Sequence, residues 1–291
     1  MNDERRRAIE EDEARFFAYL NLPYPYHRPK ARWGKAQEDK ILCLSDPHEP
    51  YGNEMVYEAC STLHKDAATL VVPGDLGDYY SKSRFRKTKE QSFRDELRAC
   101  FLRIEWMATH WQNVEIMLGN HDNRPEKKIQ DVFDGNTDLL ILTEVNLLKR
   151  LASYFDNVRV VGHDIPNAGI NLTHIYQRGD IVFTHGEVSR TKKEATLEYV
   201  STKVRLWSKA WGLKPYSVIA QAHNHHSMKT IWGPEAWFML PCATNAYSIG
   251  MEYTFSAKMI GSPPDVGYSI FYQEKGVTDV NRSNNYLVRY W

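Results

Sequence analysis

The stretch KILCLSDPHEP, Lys40 to Pro50, runs from an apolar, strand-like segment straight into Asp46-Pro47-His48. A carboxylate and an imidazole are costly at the tip of a buried strand unless something there uses both. Four further apolar runs end the same way. They are VVPGDLGDYY with Asp75 and Asp78, IMLGNHDNR with Asn120, His121 and Asp122, VFTHGEVS with His185, and IAQAHNHHS with His223, His225 and His226. In an open α/β sheet the carboxyl ends of parallel strands line a shared crevice where ligands bind. Five strand ends therefore converge, in sequence order, on one place.

The pattern around these runs alternates. After KILCLS comes a helix near 53–65, then the strand of ATLVVPGD. Between 90 and 111, Phe93, Leu97, Cys100, Ile104, Met107 and Trp111 share one helical face. The strand NVEIMLGN follows, then a helix at about 139–155 with Ile141, Val145, Leu148 and Phe155 together. This β-α-β-α-β order predicts a parallel core with crossover helices.

The second half changes style. GINLTHIYQRGDIVFTHG reads as two strands around Arg178-Gly179-Asp180, and MKTIWGPEAWFMLPCAT as a hairpin turning at Gly233-Pro234. Between them a helix over 192–211 places Leu197, Val200, Val204, Trp207 and Trp211 on a core face and ends at Gly212. The tail holds strand pairs in GYSIFYQEKGV and NNYLVRYW. Residues 1–38, a charged helix anchored by Ile9, Phe16, Phe17 and Leu20 plus a proline- and aromatic-rich linker, are expected to be an extension packed on a domain spanning 39–291.

Composition narrows the function classes. Lys and Arg total 37, Asp and Glu total 37, so no net charge draws the chain toward nucleic acid or a membrane. The N-terminus lacks the apolar core of a signal peptide, and no run approaches the ~20 apolar residues of a transmembrane helix. The four cysteines, Cys43, Cys60, Cys100 and Cys242, are scattered through apolar stretches without a C-x-x-C pair, as reduced core thiols would be. These features predict a cytoplasmic protein with no membrane partner.

The converging set mixes carboxylates, an amide oxygen and imidazoles, with no thiolate, which is the donor preference of transition metals. It exceeds what one tetrahedral ion uses. Two ions about 3.5–4 Å apart, sharing a bridging carboxylate, would use it, and such a pair can clamp the attacking and leaving oxygens of a phosphoryl displacement.

The ordered motifs resemble those of the calcineurin-like metallophosphoesterases: Asp46-Pro47-His48, Gly74-Asp75-Leu76-Gly77-Asp78, Gly119-Asn120-His121-Asp122, His185-Gly186 and Ala222-His223-Asn224-His225. The resemblance covers roughly residues 40–226 and departs from the family pattern at Ala222, where the family has glycine. It implies an α/β fold of two mixed β-sheets sandwiched between helices. It also implies that Asp46, His48, Asp75 and His225 hold one divalent cation and Asp75, Asn120, His185 and His223 a second. The metals would be manganese first, with iron, zinc, cobalt or nickel as alternatives. A water shared by the cations would attack the phosphoester, while His121, oriented by Asp78, would serve the leaving oxygen. On an extended segment His223 and His225 share a face and His226 points away.

Protein Ser/Thr phosphatases of the superfamily carry Arg after the second Asp and N-H-E in place of N-H-D. Here Tyr79 and Asp122 stand instead, which points toward the diesterase and nuclease branches. The expected substrate is a phosphodiester of DNA, RNA or a nucleotide, with Arg84, Arg86 and Arg124 as candidate phosphate contacts. Lys192, Lys193, Lys203, Arg205 and Lys209 read as a solvated helix face. A phosphomonoesterase and a non-catalytic scaffold of the same fold are the alternative readings.

Overall fold

The computed structural model describes residues 3–83, 90–133, 147–164, 172–186, 192–245 and 263–288. Helix α1 (Asp3–Tyr19) leads through a linker to β1 (Gln37–Cys43), α2 (Glu54–Leu63), β2 (Ala67–Pro73), α3 (Phe93–His110) and β3 (Asn113–Met117). Then come α4 (Arg124–Phe133), α5 (Leu147–Ala152), β4 (Val158–Val161), β5 (His163–Asp164), β6 (Leu172–Arg178), β7 (Ile181–Gly186) and α6 (Lys193–Trp207). Strands β8 (Val218–Gln221), β9 (Met228–Trp232), β10 (Glu235–Met239), β11 (Gly267–Glu274), β12 (Val277–Thr278) and β13 (Asn284–Leu287) close the chain.

The strands form two mixed sheets. In the first, β1 to β4 are parallel neighbours in the order β12-β11-β1-β2-β3-β4, with β11 antiparallel to β1 and β13 beside β11. In the second, ordered β5-β6-β7-β8-β10-β9, the strands β7, β8 and β10 are parallel. The two-residue period of a strand sorts the core into layers. Leu42, Leu70, Val72, Val114 and Ile116 face α2, α3 and α5. Their neighbours Ile41, Cys43, Val71 and Met117 face inward against Phe183, Val218, Ala220 and Phe238 of the second sheet. Val182, Ile219, Trp237 and Met239 face outward, under α6. The architecture is helix, sheet, sheet, helix, the expected α/β fold.

Part of the chain before β1, between residues 17 and 33, packs along α3. Phe17 and Leu20 are buried, and the Phe17 ring meets Tyr26, Phe101 and Tyr154. Arg32 N–H donates to the Thr109 carbonyl at 2.8 Å and Trp33 Nε1 to the Ala108 carbonyl at 3.0 Å. Ile9, expected as an anchor, is largely exposed.

Several element boundaries differ from the sequence reading. Residues 139–146 of the helix expected at 139–155 lie outside the described residues, and Leu147–Ala152 is helical. Helix α4, directly after Asp122, carries no apolar stripe that the sequence reading caught. The helix expected over 192–211 stops at Trp207 with Ser208 as its cap, and Gly212 takes a left-handed turn (φ +68°) beyond it. Trp207 is 37% exposed rather than buried, and stacks on the partly buried Trp211. All four cysteines are buried free thiols.

Candidate dinuclear metal centre

Every expected ligand lies at the carboxyl end of a strand, and the backbone there bends by an unusual route. Asp46, His48 and Asp75 have φ of +50°, +52° and +51°, and His223 and His225 +82° and +56°. Left-handed backbone at a non-glycine residue costs of order 1–3 kcal/mol, and it concentrates where function imposes a geometry. The loop residues are therefore not extended, as the sequence reading supposed for 223–226. His223 and His225 nonetheless both aim into the cluster, through alternate left-handed turns, while His226 Nδ1 turns to Asp265 Oδ2 at 3.7 Å. Ala222 is free of positive φ, so its departure from glycine carries no strain.

The loops are knitted to one another. His48 N–H donates to the Asp75 carbonyl (2.9 Å) and Glu49 N–H to that of Leu76 (2.8 Å), pairing the loops after β1 and β2. Asp122 ties the next pair together. Its carboxylate accepts from the amides of Gly77 (3.0 Å), Leu76 (3.3 Å) and Gly119 (2.9 Å). Two glycines are required for closeness: a Cβ on Gly74 would strike the His185 ring, and one on Gly119 the Asp75 carboxylate.

Among the described residues, the donor atoms of Asp46, His48 and His225 form one tight group, those of Asp75, His185 and His223 another, and those of His48, Asp75 and His121 a third that links them. The side chains of Asp46, His48, Asp75 and His185 are wholly buried. Asp75 Oδ2 lies between the groups, 3.1 Å from His185 Nε2 and 3.8 Å from His48 Nε2, the place of a bridging oxygen. Asn120 Oδ1 sits 3.0 Å from His185 Nε2, and Asp46 Oδ1 3.5 Å from His225 Nε2.

The residues fit a pair of cations. His48 Nε2 and His225 Nε2 face each other at 3.1 Å, two nitrogens of which one at least presents a lone pair to the other. Asp75 Oδ2 has no hydrogen-bonding donor in good geometry although it is buried. Both facts are expected of atoms that point at a common electrophile. The opposite ring nitrogens of His48 and His185 are engaged, as is usual for metal-binding histidines, whereas His225 Nδ1 is buried without a hydrogen-bond partner. His48 Nδ1 bonds Asp78 Oδ1 at 3.0 Å and His185 Nδ1 bonds the Pro73 carbonyl at 2.9 Å.

Electrostatics follow from this crowding. Burial works against the charged form of Asp75, yet His185, His121 and His48 hold it well below the usual carboxylate range, and His225 and His185 do the same for Asp46. Burial would also depress His185, but Asp75 and Asp46 lift it to about 9. Burial prevails at His223, pushed down to about 3, and at His121, pushed down to about 4.

His121 stands outside both ligand groups of four. Its N–H donates to Asp75 Oδ1 (2.8 Å), its Nδ1 meets Asp78 Oδ1 (2.8 Å), and its Nε2 accepts from Arg124 Nη2 (2.9 Å). Arg124 also donates to the Asp78 carbonyl at 2.7 Å. Asp78 Oδ1 thus serves His48 and His121 at once. Arg84 and Arg86 lie outside the described residues. The sequence reading passed over the binding role of Asp122, the contact of Asn123 Nδ2 with His174 Nε2 (3.2 Å), and Asp265. His174 stands opposite His185 in the β6–β7 register, a relation that only the hairpin reveals.

A profile of the calcineurin-like phosphoesterases matches residues 39–249. The chain belongs to that family. No curated protein sequence matches it. Among solved structures, Vps29 from Chaetomium thermophilum is 10% identical (TM-score 0.39), and covers 86% of this chain and 95% of its own. Vps29 from Entamoeba histolytica complexed with zinc is 12% identical (TM-score 0.37; 86% and 98% covered), and an archaeal phosphodiesterase is also 12% identical (TM-score 0.37; 86% and 99% covered). As a calcineurin-like phosphoesterase the chain carries His/Asp clusters able to hold the divalent metals of its family. No helix among the described residues is long and apolar enough to cross a membrane.

Proposed function

We propose that this calcineurin-like phosphoesterase is an active phosphodiester hydrolase that works with two divalent cations, manganese in preference, on nucleic acid or nucleotides. Asp46, His48, Asp75 and His225 seat one cation, and Asp75, Asn120, His185 and His223 the other. The observation that carries the reading is the buried Asp75 Oδ2, set between His48 Nε2 and His185 Nε2 where the two ligand groups meet. Cations bound there supply Lewis acidity to the phosphoryl oxygens and lower the pKa of an attacking water.

The protein's own groups do the rest. Asp78 Oδ1 accepts a hydrogen bond from His121 Nδ1 and so fixes the ring; Nε2, which pairs with Arg124 Nη2, is the nitrogen left to serve the leaving oxygen, and it gives up a proton only from the imidazolium form. Arg124 directs two of its five N–H donors at His121 and the Asp78 carbonyl, and is assigned to a substrate phosphate oxygen beside His121. Arg84 and Arg86 are assigned to substrate phosphate on their sequence alone. Tyr79 is buried with its ring in the core, so the position where the Ser/Thr phosphatases carry Arg offers no cation to a monoester dianion. That supports a diester substrate.

The test is turnover of bis(p-nitrophenyl) phosphate with Mn²⁺, beside the monoester. The diester should be hydrolysed faster. His121→Ala should lose about 10²–10⁴-fold in kcat while its bound metal, counted by atomic emission, stays unchanged. Wild type and His121→Ala equally inert with metal bound would make the chain a scaffold, and faster monoester turnover would make it a phosphomonoesterase.

A further inference from the structure

His223 and His225 hold left-handed backbone, a conformation that side chains other than glycine's resist and that persists where neighbours impose it. On the inner side the His223 N–H donates to the Asp46 carboxylate, 3.0 Å from Oδ2, and the Ala222 N–H to the Thr184 carbonyl at 3.0 Å. On the outer side the restraints converge on one residue, Asp265. Its N–H donates to the His225 carbonyl at 2.7 Å, and its Oδ2 accepts from the Ser227 amide at 2.7 Å. Backbone and side chain of one residue thus bracket His225 and His226.

The bracket is itself anchored at both ends. Lys193, first residue of α6, donates from Nζ to the same Oδ2 at 2.8 Å. The Asp265 carbonyl accepts from the Cys242 N–H at 2.9 Å, and Cys242 bridges Ser45, the neighbour of Asp46. A continuous path of hydrogen bonds therefore runs from the strand end that carries Asp46, through Asp265, to the loop that carries His225. Those two residues lie on different sheets and face each other across one seat, Oδ1 to Nε2 at 3.5 Å.

We propose that Asp265, steadied by Lys193, is a positioning residue that fixes the His225 loop and so sets the geometry of the seat formed by Asp46, His48 and His225. The inference rests on the dinuclear reading above. Asp265 acts through the loop backbone and touches neither substrate nor cation. A carboxylate that merely stabilised the fold would lower the melting temperature and leave metal affinities alone; a positioning residue changes the affinity of one seat and spares the other.

The experiment is equilibrium dialysis of the full chain against Mn²⁺, with bound metal counted by atomic emission, beside thermal unfolding of the metal-free protein. Wild type is expected to take two ions. Asp265→Ala should bind one of them about 10–100-fold more weakly, the range for groups that orient ligands, and the other with wild-type affinity. The loss should be absent when Asp265→Ala is added to His225→Ala, because both act on the same seat. Lys193→Met keeps the bond from the Ser227 amide to Asp265, removes the steadying cation together with its own long bond to the Ser227 carbonyl (3.5 Å), and should weaken the same ion by a smaller factor, which keeps the proposal testable if Asp265→Ala misfolds. Unchanged affinity for both ions in both variants overturns the positioning role, whether or not the melting temperature falls. A wild-type chain that takes up no metal overturns the dinuclear reading instead.

Discussion

His185 shows how one side chain is loaded from two directions. Its Nδ1 is committed to the Pro73 carbonyl, so whatever happens at Nε2 happens toward Asp75 and Asn120. With the pKa lifted to about 9, Nε2 keeps a proton at neutral pH when no cation is present, and that proton must leave before the nitrogen can ligate. His223, in the same seat, is already neutral because burial pushes it down to about 3. One proton is therefore released from these two imidazoles per ion bound. The affinity of that seat for Mn²⁺ should climb about tenfold per pH unit between the ordinary histidine value of 6.5 and about 9, then level off. Dialysis at a series of pH values measures the slope, and calorimetry in buffers of different ionisation enthalpy counts the proton. An affinity flat across that window would refute the assignment of His185 as the proton-bearing ligand. In the native state without metal the same raised pKa stabilises the fold below pH 6.5, and that contribution fades as pH rises through 9.

The elements that carry these residues were legible to different degrees, for physical reasons. The runs KILCLS, ATLVVP and NVEIML declare themselves as strands because both their faces are buried, and α3 because Phe93, Leu97, Cys100, Ile104 and Met107 repeat at helical spacing. That the strand ends bring carboxylates and imidazoles together was readable from the misfit of Asp and His after apolar runs. How the chain bends there was not: the left-handed residues include Asp46, His48, Asp75, Tyr79, His223 and His225, none of them a glycine. The periodicity of α6 gives its buried face but not where the short strands beneath it end, so Leu206 and Trp207 run past their cover. Asp265 was invisible because its partners, Ser227 and Lys193, are distant in sequence. The cap of α2 is a readable element with a measurable weight. Asn53 accepts from the Met55 amide at 3.0 Å and its own N–H donates to the Ala243 carbonyl at 2.8 Å, so it starts the helix and ties it to the chain after β10. Asn53→Ala should cost about 1 kcal/mol, or about 2–4 °C in melting temperature for a chain of this size. No change in the melting curve would mean that the cap contributes nothing.

At the scale of the molecule, the centre straddles two sheets: Asp46, Asp75 and Asn120 follow strands of the first, His185, His223 and His225 strands of the second. Its geometry depends on how the sheets are held together, and the apolar layer between them resists sliding weakly because dispersion contacts are non-directional. Directional restraint comes from Glu115. It lies on the inward face of β3, 1% exposed, and accepts from Arg178 Nη1 at 2.7 Å and from Tyr176 Oη at 2.9 Å, both on β6 of the other sheet, and from Arg159 Nη2 at 2.9 Å on β4. Removing one partner of a buried ion pair costs about 3–5 kcal/mol. Arg178 is about a quarter exposed and Arg159 mostly exposed, so water recovers part of that, and about 2–3 kcal/mol remains. Glu115→Ala should lose that much in urea unfolding, and Glu115→Gln less, since the amide oxygen still accepts. Because the sheets carry different ligands, Glu115→Ala should also weaken both metal seats together, unlike any single ligand substitution. A variant within about 0.5 kcal/mol of wild type, with both Mn²⁺ affinities unchanged, would show that the apolar layer alone sets the register of the sheets.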